Sequence, residues 1–544
     1  MSCRRSPAMV LVLTLVVVLG CSSDPPSIVT PPTPPPTPVS TVTVTGGQGQ
    51  ILVGETSQFL ATLRDAAGDT LTGRAVTWTS SDTTVVALDS IGLAGVNLCR
   101  SILCKVIAVG SGAATITATA EGQQGNASIA VIQLILRITG GPTAFVRGDV
   151  VRFTAQVTDS AGAVFPGTNI SWSVLGGFGF FNRDGQTVRF VAYSAGQISV
   201  VARSGSVADT LAVTVSDRTL TGSFTVVGPG VTASSERTSN LSVYRNVLYS
   251  GTFSGNGAAH VWSIANPTNP VLTDSIFIDA SVVNDVKIRG DGTLAVITHE
   301  GSSDGLNGVT LLDMTDPHHP TVITRYTPGL LGGVHNAWID GNHLYVVSPG
   351  LSILDISDPA NPTRVGSFFG VPAHDVYVRG GLAFLSTYGD GLTVLDVGDG
   401  RAGGSPSNPV QVGQLVIPRV FHHNTWYWPA AGYAFVGDEV GVMHVVDVSN
   451  MSARRQVATF GGASPHNFWL DESRGILYAA WSSLGIRAID VNGQLMGQLE
   501  QQGREIAILA YSGASMFGWS PQLHNGYIYL SDIFSGVWVL QPNF

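Results

Sequence analysis

From residue 40 onward, apolar and polar residues alternate in short runs separated by Gly, Pro, Asn, Asp and Ser. Val42 to Thr45, Phe59 to Leu63 and Thr115 to Thr119 alternate one by one, which predicts half-buried strands. Near residue 217 the pattern changes. Two or three consecutive apolar runs now form a unit, as in Ala373 to Val378, Leu382 to Ser386 and Leu392 to Val397. Units opening on a polar pair begin near Asn240, Asn284, His335, His374, His423, His466 and His524. Seven units across residues 217–544 give a period of about 47 residues, and periods of that size built from short strands predict propeller blades.

The last unit ends on Gly536 to Leu540 and lacks a fourth strand, while Thr221 to Val227 precede the first unit and have none of their own. Pairing the two would complete the last blade and remove an open edge. The expected class is therefore all-β: two β-sandwiches, over 40–132 and 133–216, then a seven-bladed β-propeller over 217–544.

Composition agrees with this reading. The chain has 65 glycines for tight turns, and only 12% of its residues are charged. The net charge is −10 and the only lysines are Lys105 and Lys287, which argues against nucleic acid as a partner.

Residues 1–20 predict an export signal. Arg4 and Arg5 precede an apolar run, Met9 to Leu19, too short to span a bilayer. The run ends Val18-Leu19-Gly20-Cys21, which resembles the bacterial lipobox. The resemblance implies cleavage before Cys21 and lipidation of its sulfur. The alternative is an ordinary signal peptide with an incidental cysteine. Ser22 and Ser23 follow, and in Gram-negative lipoproteins that implies the outer membrane, with the lipid as the only membrane contact. Residues 21–39 are rich in proline and predict an extended spacer.

Within 40–132, the runs around Val42, Phe59, Val76-Thr77-Trp78 and Ile116 resemble bacterial Ig-like (group 2) domains. Trp78 is expected in the core. Residues 133–216 repeat the plan more loosely around Phe153, Trp172 and Ile198, which resembles a second Ig-like domain. In an exported chain, Cys99 and Cys104 are expected to form a local disulfide in a loop, since a closed zinc site needs four ligands.

The third strands of the repeats are the most uniform: Val309 to Met314, Leu351 to Ile356, Leu392 to Val397, Val442 to Val448 and Ile486 to Val491. They resemble the LVIVD-repeat family of exported proteins, which implies a surface-located β-propeller and no settled enzymatic activity. Asp313, Asp355, Asp396, Asp447 and Asp490 end these strands and are expected to cap the following turns.

The opening pairs carry the candidate chemistry. His335, His374, His422, His423, His466 and His524 would ring one mouth of a propeller, where imidazoles could hold a transition metal or another ligand. The competing reading is structural: one polar pair per blade, a His and an Asp, fastens strands, as in WD-repeat propellers. His422-His423, with Asp438 and Glu439 in the same unit, is the best local candidate for more than structure. His335-Asn336-Ala337-Trp338, His423 to Trp426 and His466 to Trp469 share a His-Asn-x-Trp form. Each Trp is expected in blade core, with an aromatic, sugar-stacking groove as the alternative. Asp285 and Asp375 are the only carboxylates in the opening pairs, which gives little for a hydrolytic dyad. Gly301-Ser302-Ser303-Asp304-Gly305 matches a nucleophile elbow by letter, but a strand, not a helix, is expected after it.

No catalytic residues are assigned. The preferred reading is a non-enzymatic cell-surface lipoprotein whose propeller binds a protein, glycan or small ligand, held out by Ig-like spacers. The alternative is a metal-binding protein or metal-dependent enzyme built on the histidine mouth.

Overall fold

The computed structural model describes residues 35–89, 99, 101–184, 186–233, 235–417, 421–462, 464–510 and 516–544. The export segment 1–20 and the lipidation candidate Cys21 lie outside the described residues. Among the described residues the chain is all-β, with two short 3-10 turns and no α-helix. None of their helices is long and apolar enough to cross a membrane. The chain divides into two compact units, 1–133 and 134–544.

The first unit has two open sheets. One runs in the order Thr41–Gly46, Thr56–Arg64, Leu103–Ala108, Val86–Leu88, with Thr70–Leu71 also on Thr56–Arg64; the other runs Gln50–Leu52, Gln123–Ile132, Gly112–Ala120, Thr77–Ser80. Along Thr56–Arg64, residues Ser57, Phe59, Ala61 and Leu63 are buried and their neighbours are not. That alternation fixes register, because a slip of one residue would turn the whole apolar set to water. Phe59, Leu63, Trp78, Val106, Ile116 and Val131 share one core with residues from both sheets. A disulfide joins Cys99 to Cys104. Cys104 is not in a loop as expected but in the strand Leu103–Ala108, opposite Phe59.

The second unit begins with two more sheets, ordered Leu134–Gly140, Val150–Asp159, Thr187–Ala192, Gly179–Asp184 and Ala144–Val146, Val207–Ser216, Gly196–Ser204, Ser171–Leu175. Phe153, Trp172, Phe190 and Val200 pack between them.

Seven sheets follow. Their first strands lie in Arg237–Tyr244, Val286–Ile288, Asn336–Asp340, Ala373–Arg379, His422–Trp428, Phe468–Asp471 and Gly518–His524. The first four strands of each sheet pair antiparallel, the fifth sheet adds Gly497–Gln498 parallel to Arg455–Phe460, and none of the sheets closes on itself. The first strands neighbour one another in cyclic order, the seventh packing back on the first. The seventh sheet takes its fourth strand from Ser223–Val231, which pairs antiparallel with Gly536–Asn543. That pairing was expected from the two incomplete chain segments. Apolar clusters fill the spaces between successive sheets, such as Val347, Leu351 and Ile353 against Val376, Val378 and Leu385.

The strand-ending aspartates cap turns as expected. Asp313 Oδ1 accepts from the Thr315 amide (2.8 Å), Asp355 Oδ1 from Ser357 (2.8 Å) and Asp447 Oδ1 from Ser449 (3.1 Å). Asp396 takes four amides, those of Gly398, Asp399, Ala402 and Gly404. Ser303 lies in an exposed hairpin loop, bonded to Asp279, and a strand follows it, so no nucleophile elbow exists there.

The fully buried His299 tests the interior electrostatically. Its Nε2 shares a 2.8 Å hydrogen bond with Thr310 Oγ1. Burial, then the nearby Arg325 charge, lowers the imidazole to about 4. Its folded value lies below the unfolded 6.5, so the unfolded chain binds more protons between the two. The contribution is complete above pH 6.5 and is lost as pH falls toward 4. A shift of this size is worth about 3 kcal/mol. Urea unfolding of His299→Gln at pH 7 and pH 4.5 is expected to show a smaller acid-induced loss than the parent, by roughly 2 kcal/mol. Equal losses in both proteins would contradict the assignment.

Candidate functional site

The seven first strands carry three successive layers of side chains. In the middle is a polar belt. Asn240 Nδ2 donates to Asp285 Oδ1 (2.6 Å), and Asn336 Nδ2 and the Ala337 amide donate to Asp285 Oδ2 (3.1 and 3.0 Å). The Val376 amide donates to Asn336 Oδ1 (3.0 Å), Asn424 Nδ2 to Asp375 Oδ2 (3.3 Å) and the Phe468 amide to Asn424 Oδ1 (3.3 Å). The Asn467 amide donates to the Trp519 carbonyl (3.3 Å), and Gln522 bonds both backbone groups of Val243. Every sheet is thus tied to the next through its first strand. Asp285 is fully buried yet fully used, since Lys287 and the Val286 amide also bond it. Such a group is retained only with its partners in place.

To one side of the belt, later in each strand, lies a cavity of about 280 Å³. Trp338, Tyr377, Trp426 and Trp469 line it from four consecutive sheets. Their ring centroids follow one another at 4.5, 5.1 and 5.0 Å. Each tryptophan packs against an inter-sheet cluster on one flank, as expected of blade core, and faces the cavity on another. Lys287 and Arg289 also reach this wall, but each is already paired, with Asp285 and Asp291. Asp375, at the belt, is raised to about 7, chiefly by burial and against the pull of Lys287.

To the other side lie the histidines. His335, His374, His423 and His466 stack in an arc, with centroids 4.4, 4.5 and 3.8 Å apart, and Trp519 continues it at 4.2 Å. His374 Nδ1 donates to the His423 carbonyl (3.2 Å) and His466 Nδ1 to the Trp519 carbonyl (2.9 Å). These bonds reach the next sheet, so the histidines do fasten strands. They do not bond the strand-ending aspartates, so the WD-like tie is absent. Fastening through Nδ1 leaves Nε2 unspent.

Three residues that directly follow second strands face this arc: Glu300, Tyr388 and Glu439. Glu300 Oε1 bonds His335 Nδ1 (2.7 Å), Tyr388 stacks on His374 (4.5 Å), and Glu439 Oε1 lies 3.4 Å from His423 Nε2 and 3.7 Å from His466 Nε2. Glu439 was singled out in the sequence; Glu300 and Tyr388 were not. Aligning the ends of the second strands would have found them, because a hairpin brings that position beside the start of the first strand.

Burial lowers His374 and His466 to about 3 and His423 well below its ordinary value, so these imidazoles are neutral at pH 7. Burial pulls His335 the same way, but Glu300 outweighs it and the net shift is upward. Burial raises Glu439.

Two expected members of the mouth are elsewhere. His422 precedes His423 on one strand, where successive side chains point apart. It sits beside His444 (5.7 Å between centroids) and opposite Asp438 in its own sheet. His524 is at the far end of its strand and donates from Nε2 to the Arg245 carbonyl (2.6 Å). Asn525 and Gly526, with φ of 49° and 82°, form the hairpin turn that follows. Asn-Gly is the strongest short hairpin signal, and it marks this pair as a turn. Trp519 holds the position that His466 holds in the sixth sheet.

Residues 331–369, 372–415 and 430–457 match the LVIVD repeat. The matched segments contain His335, His374 and Glu439. No curated protein matches the chain.

Proposed function

We propose that residues 217–544 form a seven-bladed β-propeller that binds a neutral carbohydrate in its aromatic-walled channel. On this reading the preceding segments, 40–132 and 133–216, are Ig-like spacers. Cys21 carries a lipid that anchors the exported chain at the outer membrane or cell surface.

The cyclic order of the first strands and the borrowed fourth strand of the seventh sheet favour the propeller. The two-sheet cores around Trp78 and Trp172 favour the spacers. The lipobox-like Leu19-Gly20-Cys21 and the proline-rich stretch after it favour the anchor.

The observation that carries the ligand class is the cavity wall. Four aromatic faces from consecutive sheets meet polar belt groups that can hydrogen-bond hydroxyls. Apolar faces with a few convergent polar groups mark a small-molecule site, and the cavity is near the lower end of such sites at about 300 Å³. The basic groups at the wall are already paired, so none of them is free to select an anionic ligand.

The test is calorimetric titration of the mature chain with a panel of neutral mono- and disaccharides. Binding by at least one sugar is expected, with Trp426→Ala and Trp469→Ala each weakening it roughly 10- to 30-fold, about 1.4–2 kcal/mol. A panel with no binder, or binding unchanged in both variants, would refute the reading.

A further inference from the structure

We propose that His423, His466 and Glu439 bind one divalent first-row transition metal ion, on the side of the polar belt away from the aromatic cavity. The inference is independent of the carbohydrate reading.

The first support is geometry. The three candidate ligand atoms all lie within 4.8 Å of one another. Zinc-type bonds of about 2.0–2.1 Å in a tetrahedron put neighbouring ligand atoms roughly 3.4 Å apart. Glu439 Oε1 stands 3.4 Å from His423 Nε2 and 3.7 Å from His466 Nε2. Two edges of the coordination figure are therefore nearly in place.

The second support is orientation. His466 donates Nδ1–H to the Trp519 carbonyl, which fixes the tautomer with its lone pair on Nε2. A backbone carbonyl behind a ligating imidazole is the usual outer-shell arrangement. The ring is 1% exposed and cannot swing to water for an alternative partner.

The third support is the packing around His423. His423 is buried, and its Nδ1 has no hydrogen-bond partner. Its Nε2 faces Glu439 Oε1 at 3.4 Å, longer than the usual range of about 2.7–3.2 Å for an N–H···O bond. Two neutral imidazoles stacked 3.8 Å apart against one carboxylate form a poor hydrogen-bond arrangement and a good metal-ligand set. Two imidazoles with one carboxylate suit zinc, iron(II) or cobalt(II) and leave coordination positions open.

Cobalt(II) is the probe. Titrated into the full mature chain after chelator treatment, it is expected to give visible d–d absorption saturating at one equivalent, and zinc is expected to displace it. Glu439→Gln changes a side chain that is 32% exposed and is expected to keep the apo melting temperature while weakening cobalt binding at least tenfold. His466→Gln is expected to abolish the bands. His524→Gln, remote from the site, is expected to leave them intact. Absent saturable bands in the parent chain, or bands that survive in both Glu439→Gln and His466→Gln, would overturn the proposal. Should His466→Gln fail to fold, Glu439→Gln alone decides.

Discussion

Replacing Ser223–Val231 with nine glycine and serine residues is expected to abolish cooperative folding of residues 134–544. The substitution keeps the chain length but removes the fourth strand of the seventh sheet. Phe224, buried against Tyr478 and Phe544, is lost with it. A buried Phe→Ala change alone costs about 3–5 kcal/mol. Losing the paired backbone as well leaves Gly536–Asn543 as an open edge ready to pair with another chain. Together these losses compare with the whole stability of an ordinary domain, roughly 5–15 kcal/mol. Size-exclusion chromatography and thermal unfolding are expected to show aggregate in place of a cooperative transition. Phe224→Ala alone is expected to fold and melt earlier. A monomeric substituted protein with an unchanged melt would show that the first and seventh sheets do not depend on this strand.

The second large effect is expected at Arg504, whose side chain is 0% exposed. It is placed where the second unit's opening sheets meet the sixth repeat sheet. Its Nη2 donates to the Gly148 carbonyl (2.7 Å), its Nη1 to the Asp490 and Asn492 carbonyls (3.1 and 3.0 Å) and its Nε to Gln502 Oε1 (3.0 Å). Burial, then the neighbouring Arg218 charge, lowers it to about 10, so it stays charged at pH 7. Arg218 bridges Asp490 (2.9 Å) and Asp149 (3.2 Å) in the same network. Arg504→Met keeps the apolar stem but strands five oxygen acceptors, the Gln494 carbonyl (3.4 Å) included, and leaves Asp490 one cation short. Breaking a buried charged network from one side costs about 3–5 kcal/mol. Urea unfolding at pH 7 is expected to show that loss. Lysine is expected to recover little, because one ammonium cannot replace a five-donor planar fork. A loss below about 1 kcal/mol in Arg504→Met would mean that water or relaxation replaces the network.

Much of the architecture was legible because strand periodicity is a local property. Phe59 to Leu63 alternates in sequence and alternates in burial. The third-strand aspartates precede turn residues and cap them. The incomplete ends of the repeat region were legible by arithmetic, since one segment lacked a partner and one sheet lacked a strand. His524 shows the limit. Its letters matched an opening pair, but Asn525-Gly526 is a turn, and only pairing Gly518–His524 with Tyr527–Asp532 places the histidine at the far end.

What the sequence determined by itself is the all-β class, the repeat period and the set of residue types at the starts of the first strands. These follow from periods of two and about 47 residues, which one chain read in order displays. Which of those residues meet depends on the folded arrangement of the sheets. Glu439 reaches His423 within its sheet and His466 in the next, and Trp426 joins Trp338, Tyr377 and Trp469 around one cavity. These contacts span separations of 16 to 131 residues. They depend on twist, strand-end register and the direction of each side chain. A one-residue difference sends His422 and His423 to different surroundings, and no local pattern in the sequence records which of the two faces the mouth.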